Sequence, residues 1–270
     1  MPELPEVEVT RLGIEPHLVG RRIVAVMVRE SRLRRPVNSD LATRLQGQSI
    51  RQLRRRGKYL VAELDQGQIL LHLGMSGHLR ILPQGTAVQR HDHIDLVLDD
   101  GNCLRFHDPR RFGLLLWGED WASDPLLRSL GPEPLGSGFD GDYLFARSRG
   151  HHQAIKSFLM DSHVVVGVGN IYANESLFRA GIDPRRTAGR VALPRYRRLA
   201  EAIVEILQKA IAEGGTTLRD FTHPDGEKGY FRLSLSVYGR ENEPCVRCGN
   251  PLRSLRIGGR SSFFCGQCQR

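Results

Sequence analysis

The stretch Ile69-Leu70-Leu71-His72-Leu73-Gly74-Met75-Ser76-Gly77-His78-Leu79-Arg80-Ile81-Leu82 decides the fold of the first half of the chain. Two short apolar runs, 69–73 and 78–82, flank a glycine-containing turn, which is the pattern of two consecutive β-strands. Runs of the same kind continue on both sides, at 23–28, 59–64, 94–98, 103–107 and 113–117. Short strands at this spacing predict a β-sandwich or a barrel.

Helical periodicity flanks this β-rich region. Residues 4–19 carry apolar side chains at helical spacing and are followed by Gly20, a typical helix stop. Tyr196–Glu213 places its apolar residues on one face before Gly214 and Gly215. We therefore predict an α+β, multidomain chain with four parts: an N-terminal β-sandwich domain at 1–130, a linker at 131–141, a helical domain at 142–239 with a mobile loop at 216–229, and a cysteine module at 240–270.

Composition narrows the function. The chain has 270 residues and a net charge of +9, which favours a polyanionic partner, nucleic acid first. It has no apolar run of about 18 residues and no signal-peptide pattern, so we expect a cytoplasmic protein without a membrane span. The sequence matches neither a Walker A loop nor a dinucleotide fingerprint, so we expect no nucleotide or redox cofactor.

Four of the five cysteines form two pairs near the C-terminus. Cys245 and Cys248 are separated by two residues, as are Cys265 and Cys268, and sixteen residues lie between the pairs. Two such turns supply four thiolates to a tetrahedral site, which predicts one structural zinc ion. The zinc would hold the hairpin 253–264, where Arg260 is the best candidate for reaching a phosphate. Cys103, in an apolar strand, is predicted to be a buried small side chain.

The N-terminus carries an unusual chemical possibility. Removal of Met1 would leave Pro2 as a free secondary amine, which can attack an electrophilic sugar carbon. Glu3 and Glu6 are near enough in sequence to transfer protons. The alternative is a plain helix start, in which Pro5 and the acidic residues only favour the first turn.

Residues in the middle of the chain suggest contacts with a nucleic acid. Lys58 follows a run of three arginines and is predicted either to contact phosphate or transfer a proton, or to be an ordinary surface lysine. Met75, Arg110 and Phe112 lie in turns and could together wedge into a base stack, although methionine more often fills a core. Asn170 begins a predicted helix that it could cap, with or without a bound phosphate.

These motifs together resemble the bacterial formamidopyrimidine-DNA glycosylase family, the 8-oxoguanine glycosylase/AP lyases. The resemblance runs nearly from end to end of the chain. It rests on Pro2-Glu3-Leu4-Pro5-Glu6-Val7-Glu8, Gly57-Lys58-Tyr59, His72-Leu73-Gly74-Met75-Ser76-Gly77, Asp108-Pro109-Arg110-Arg111-Phe112-Gly113, Gly167-Val168-Gly169-Asn170-Ile171-Tyr172, and the four-cysteine tail with Arg260.

The resemblance implies a fold and a set of roles. The fold is an N-terminal β-sandwich flanked by helices, a helix-two-turn-helix bundle and a zinc finger, with damaged double-stranded DNA between the lobes. Pro2 would be the nucleophile on C1′ and Glu3 the acid/base that opens the sugar. Lys58 would assist β-elimination and Arg260 δ-elimination. Met75, Arg110 and Phe112 would fill the gap left by the everted base, which the loop 216–229 would recognise.

The resemblance also implies DNA contacts outside the catalytic set. Asn170 would grip flanking phosphates with the help of Lys156 and Tyr238. His91 matches a family DNA contact by position, with a metal site at His91 and His93 as the rival interpretation. His151 stands where the family commonly has a basic side chain, and a largely neutral imidazole would weaken a phosphate contact there.

The sequence leaves two alternative functions open. One is the related glycosylase for oxidised pyrimidines, against which Leu4 and the set of Met75, Arg110 and Phe112 argue. The other is a non-catalytic protein that binds damaged DNA, for which Pro2, Glu3 and Lys58 would be unnecessary. We expect a monomer, because a DNA-binding cleft built within one chain needs no partner subunit.

Overall fold

The computed structural model describes residues 2–214 and 235–270. The described residues form two compact units, one made of 2–128 with 213–214 and the other of 129–212 together with 235–270. The predicted loop 216–229 lies outside the described residues. Within the described ranges, no helix has both the length and the apolar character needed to cross a bilayer.

The first unit is built on two four-stranded antiparallel sheets. One sheet has the order β1-β6-β7-β5 and the other β2-β3-β4-β8. The strands are β1 (Ile23–Val28), β2 (Ile50–Arg56), β3 (Tyr59–Leu64), β4 (Gln68–His72), β5 (His78–Pro83), β6 (Asp92–Leu98), β7 (Asn102–His107) and β8 (Leu114–Gly118). Apolar side chains from both sheets share one core, which makes this unit a β-sandwich.

Two helices cover the open edges of the sandwich. The first, α1 (Leu4–Leu18), packs against β2, β3 and β5, and so lies along the edge where β2 and β5 end their sheets. The second, α2 (Leu41–Leu45), packs against β1 and β8 at the opposite edge. Covering both edges protects backbone groups that would otherwise be open to pairing with another chain. It also fixes the start of α1 against the sandwich.

The strand β2 was not predicted. Its sequence, Ile50-Arg51-Gln52-Leu53-Arg54-Arg55-Arg56, is too polar to be recognised by an apolar run, yet it pairs with β3 along its whole length. Such a charged strand is typical of a sheet edge. As a consequence Lys58 lies in the two-residue turn between β2 and β3.

The second unit is mainly helical. Its helices are α4 (Gly141–Ser148), α5 (Ile155–Leu159), α6 (Asn170–Ala180) and α7 (Leu193–Gly214), while the short α3 (Pro125–Arg128) ends the first unit. The apolar face predicted for α7 is buried, including Tyr196, Leu199, Ile203 and Leu207. A two-stranded hairpin, β9 (Arg253–Ile257) and β10 (Arg260–Phe264), completes the chain. The predicted α+β class, with its β-sandwich, helical module and four-cysteine tail, is confirmed.

Candidate active site and metal centre

The start of α1 holds Pro2 and Glu3 in a defined position. Glu3 is the N-cap residue, and its backbone N–H donates to Oε2 of Glu6 at 2.7 Å in a reciprocal capping box. The Glu3 side chain is only 3% exposed, whereas Pro2 is half-buried. The chain is therefore held in place from Pro2 onward. Both carboxylates take part in the capping box, and Glu3, which directly follows Pro2 in the chain, is the candidate for proton transfer nearer the amine.

The hairpin that carries Lys58 is joined to the same helix. Glu8 of α1 accepts a hydrogen bond from Nε of Arg55 at 2.8 Å, and both side chains are largely buried. Gly57 occupies the first position of the turn with a φ of 58°, a left-handed conformation that glycine adopts without strain. The turn presents Lys58 at the tip of the hairpin, three residues beyond this ion pair.

A neutral histidine lies close to Lys58. Burial, together with the nearby charges of Arg34 and Lys58, lowers the pKa of His72 to about 4. Its Nδ1 accepts a hydrogen bond from the backbone N–H of Gly74 at 2.9 Å, which requires an unprotonated nitrogen. His72 is therefore neutral at pH 7 and supplies no positive charge beside the lysine.

The three predicted gap-filling residues lie on two adjacent loops. One loop, 73–77, crosses from β4 to β5, and the other, 108–113, crosses from β7 to β8. Because β4 pairs with β8 and β5 pairs with β7, the two crossings run side by side. Met75 and Phe112 are 41% and 45% exposed, and the guanidinium of Arg110 lies 4.8 Å from the Phe112 ring centroid.

His91 lies beside these loops without forming a metal site. Its ring centroid is 6.3 Å from that of His93, and Nε2 of His93 is engaged by the carbonyl oxygen of Asp108 at 2.7 Å. Burial and neighbouring cations, first Arg90, lower the pKa of His91. Among the described residues, the cysteine set is the one group of three or more such side chains whose ligand atoms lie close enough to hold a metal ion, and neither His91 nor His93 belongs to it.

Arg260 is presented by the hairpin of the second unit. It follows the turn at Gly258 and Gly259 and is exposed. Lys156 of α5 supports this hairpin from inside: its side chain is 0% exposed, and its Nζ donates to Ser261 O and Ser262 Oγ, both at 2.7 Å. The predicted phosphate contact by Lys156 does not fit this position, because the ammonium group is buried and bound within the protein.

The helix α6 connects the remaining predicted DNA contacts. Asn170 is its first residue, while Gly169 is the N-cap, so the prediction that Asn170 caps this helix was wrong. The carboxylate of Glu175 accepts hydrogen bonds from the backbone N–H groups of Ser236, Val237 and Tyr238 at 2.8–2.9 Å. One helix thus carries Asn170 at its start and fixes the backbone of Tyr238.

Aromatic contacts hold the rings of Tyr238 and His151. The Tyr238 ring packs edge-on against Phe263 of the hairpin, with centroids 5.3 Å apart. His151 is half-buried, and its ring packs against Phe158 at 5.3 Å. The Phe158 contact restricts the imidazole of His151, which limits its reach toward a ligand.

The four cysteines of the tail converge on one point. Their Sγ atoms all lie within 4.8 Å of one another, with 3.9 Å between Cys245 and Cys268 and 3.5 Å between Cys248 and Cys265. A tetrahedral zinc ion with Zn–S bonds of about 2.3 Å separates its sulfurs by roughly 3.8 Å, so the set fits zinc. Four sulfur ligands leave no open coordination position, which makes the site structural.

Three family models match the chain in sequence order. They are the formamidopyrimidine-DNA glycosylase N-terminal domain at residues 1–115, the H2TH domain of the same glycosylase at 130–222, and a zinc finger found in FPG and IleRS at 242–270. The chain belongs to the formamidopyrimidine-DNA glycosylase family. The H2TH match corresponds to the predicted helix-two-turn-helix module, and the zinc-finger match agrees with one structural zinc in the four-cysteine cluster.

Full-length relatives support this membership. Formamidopyrimidine-DNA glycosylase of Acidithiobacillus ferrooxidans is 66% identical over 270 residues, with complete coverage of both chains. The enzyme of Stenotrophomonas maltophilia is 57% identical, again with complete coverage.

Solved structures of the family agree with the fold. The MutM (Fpg) protein of Thermus thermophilus is 38% identical with a TM-score of 0.85, covering 99% of this chain and 98% of that one. Fpg of Lactococcus lactis, solved in complex with DNA containing an abasic site, is 33% identical with a TM-score of 0.89 and 99% coverage of both chains.

Sequence reasoning missed the residues that support the family's motifs. Glu175 and Asp108 are buried carboxylates that bind backbone N–H groups, and Ser262 is a buried hydroxyl that binds Lys156. Asp108 begins the motif 108–113, but its sequence context assigns it no role. No local signal marks Glu175, because α6 also carries the polar residues Asn170, Asn174, Ser176 and Arg179.

Proposed function

We propose that this chain is a bifunctional DNA glycosylase/AP lyase of base excision repair that removes oxidised purines, 8-oxoguanine and formamidopyrimidines, through a Schiff base on Pro2. Family membership over the whole chain supports the activity. The observation that carries the proposed site is the rigid start of α1, where the capping box holds Pro2 and Glu3 and the Glu8–Arg55 ion pair brings in the Lys58 hairpin.

The first step replaces the damaged base by the amine. After removal of Met1, the nitrogen lone pair of Pro2 forms a bond to C1′, and the base leaves with the electron pair of the glycosidic bond and takes up a proton. Glu3 then donates a proton to the ring oxygen as the C1′–O4′ bond opens. The nitrogen loses its own proton, and an iminium ion joins Pro2 to C1′.

The next steps cleave the strand. The iminium withdraws electrons and acidifies the C2′ proton, whose removal expels the 3′ phosphate by β-elimination. Lys58, at the tip of the hairpin, assists this step and contacts a phosphate. A second elimination expels the 5′ phosphate, assisted by the exposed guanidinium of Arg260. Water finally hydrolyses the iminium bond between C1′ and the Pro2 nitrogen, which releases the sugar fragment and the free amine.

The damaged base must leave the duplex before this chemistry starts. Eversion costs a few kcal/mol of unstacking, and side chains that fill the gap recover part of it. The exposed side chains of Met75 and Phe112, with Arg110 against the Phe112 ring, suit this role. We assign recognition of the everted base to residues 216–229, on the resemblance alone.

Further contacts would hold the DNA backbone. We propose that Asn170 and Tyr238 bind flanking phosphates, with weaker contributions from His91 and His151, whose imidazoles are a poor substitute for a fixed cation. Lys156 has a different role in this proposal, since it stabilises the hairpin that presents Arg260. The zinc ion stabilises the same hairpin and takes no part in the reaction.

The proposal extends to the domain organisation, oligomeric state and cellular location of the protein. The functional domains are 1–130, 142–239 and 240–270, joined by the linker 131–141. The protein acts as a monomer in the cytoplasm and associates with the nucleoid through DNA binding. Its net charge of +9 supports steeply salt-dependent binding.

Cleavage of defined duplexes tests the proposal. The full chain, with loss of Met1 verified by mass, is incubated with a labelled duplex that contains 8-oxoguanine opposite cytosine. We expect a gap with phosphate at both ends, and a product halted after β-elimination for Arg260→Gln. Faster cleavage of a duplex with an oxidised pyrimidine would assign the related activity. Tight binding without cleavage of either duplex would assign a non-catalytic DNA-binding protein.

A further inference from the structure

The two loops that carry Met75, Arg110 and Phe112 meet at one buried carboxylate. Asp108 is 0% exposed and lies at the start of the second loop. Its Oδ2 accepts a hydrogen bond from the backbone N–H of Gly113 at 2.8 Å. Its Oδ1 accepts from the N–H of Arg110 and from the Ser76 hydroxyl of the first loop, both at 3.3 Å. One side chain therefore closes the second loop and contacts the first.

The backbones of the two loops also fit closely together. Gly74 has a φ of 66°, and a Cβ at this position would lie 2.4 Å from the Gly113 nitrogen and 2.5 Å from the carbonyl carbon of Phe112. Only glycine allows this approach. The carbonyl oxygen of Asp108 is bound by His93 of β6, and the N–H of Asp108 donates to the carbonyl oxygen of His91, just before β6, at 3.0 Å. These two contacts fix the backbone of Asp108.

We propose that Asp108 is a positioning residue for base eversion, whose carboxylate holds the Met75 loop and the Arg110–Phe112 loop in the single arrangement that enters the base stack. This inference rests on the proposed function. The carboxylate does not reach the reacting sugar in this account. It acts by setting the separation of the side chains that replace the everted base.

Substitution of Asp108 by asparagine changes one acceptor into a donor. In Asp108→Asn, the amide group can still accept from one partner, but its NH2 faces either the Gly113 N–H or the pair formed by Ser76 and Arg110. The loop geometry must then shift. Displacements of about 1 Å at residues remote from the chemistry can cost about 100-fold in rate.

The substrate separates positioning from chemistry. A duplex with a preformed abasic site has no base to unstack, so its cleavage depends less on the gap-filling residues. For Asp108→Asn we expect kcat/KM on the 8-oxoguanine duplex to fall roughly 10- to 100-fold, and cleavage of the abasic duplex to change less than about threefold. A fluorescent base placed opposite the lesion should show slower or smaller unstacking.

Two further variants make the test decisive. Ser76→Ala removes only the link between the loops and is expected to give a smaller loss in the same direction, which decides the matter if Asp108→Asn does not fold. Asp99→Asn, in the exposed turn between β6 and β7, serves as the matched control. Equal losses on both substrates, or no loss in either folded variant, would overturn the inference. An inactive wild-type chain would instead count against the proposed function.

Discussion

The ammonium group of Lys156 lies 2.7 Å from the hydroxyl oxygen of Ser262 inside the second unit. Both side chains are fully buried, and Ser262 is two residues from Arg260 on the same strand. Lys156, for which the family resemblance implies a phosphate contact, thus stabilises the hairpin that presents Arg260.

The first prediction concerns this pair. Lys156→Met and Ser262→Ala should each shift the hairpin and slow the second elimination more than the first, because Arg260 moves with the strand. A double-mutant cycle by urea unfolding should give a coupling free energy of roughly 0.5–3 kcal/mol. Lys209→Met, at an exposed position of α7, is the control. Simple additivity of the two substitutions would refute the link.

A second prediction concerns Glu175. Its carboxylate accepts three backbone N–H groups from residues 236–238, and a glutamine offers only one oxygen to them. Glu175→Gln should lower the free energy of unfolding of the second unit by roughly 1–3 kcal/mol, because at least one buried donor loses its partner. DNA affinity should fall as Tyr238 is released. Glu205→Gln, which breaks an exposed ion pair with Arg179, should change stability little.

The third prediction is a dependence of stability on pH. Burial lowers the pKa of His72 and His78 to about 4, from an ordinary value of 6.5. Between pH 4 and 6.5 the unfolded chain therefore binds more protons than the folded chain. The free energy of unfolding consequently rises with pH across this window, and the contribution of the two histidines is lost as the pH falls toward 4. Each histidine contributes up to about 1.4 kcal/mol per pH unit.

Urea unfolding between pH 4.5 and 7 measures this slope. His72→Gln should reduce the slope by about one proton. An unaltered slope in His72→Gln would mean that this histidine is protonated in the folded chain.

The fourth prediction concerns the zinc. Removal of the metal by a chelator should unfold the hairpin 253–264 and release one zinc ion per chain, because four thiolates without metal repel one another and lose their common centre. Elemental analysis would measure the zinc released, and tyrosine fluorescence would report the loss of the Tyr238 ring contact with Phe263. Cys248→Ser should behave in the same way, and Cys103→Ala should retain its zinc. Chelation that leaves the hairpin folded would contradict a structural role.

The sequence was sufficient to predict the fold class and the zinc cluster, because alternating apolar runs and paired cysteines are local signals. It was insufficient for β2, whose arginines conceal its pairing with β3. The predicted runs 23–28 and 59–64 coincide with β1 and β3, whereas the boundaries of β4 to β8 differ from the predicted runs by one or two residues. The buried state of Cys103 was predicted correctly.

Some residues of the candidate site could likewise be predicted from the sequence and others could not. Motif residues such as Pro2, Lys58 and Arg260 could be named from the sequence. The roles of Lys156, Asp108 and Glu175 could not, because each depends on contacts with residues far away in the chain or on the fold of a loop. The burial of Lys156 in particular follows from the packing of α5 against the hairpin, which no local pattern encodes.

The central claim is that Pro2 forms the covalent intermediate. Borohydride reduction during reaction with a duplex carrying 8-oxoguanine opposite cytosine, followed by peptide mapping, tests it most directly. We expect an adduct on the Pro2 nitrogen of a chain that has lost Met1, at a yield that matches strand cleavage. An adduct on a lysine such as Lys58, or cleavage without any trapped adduct, would contradict the account.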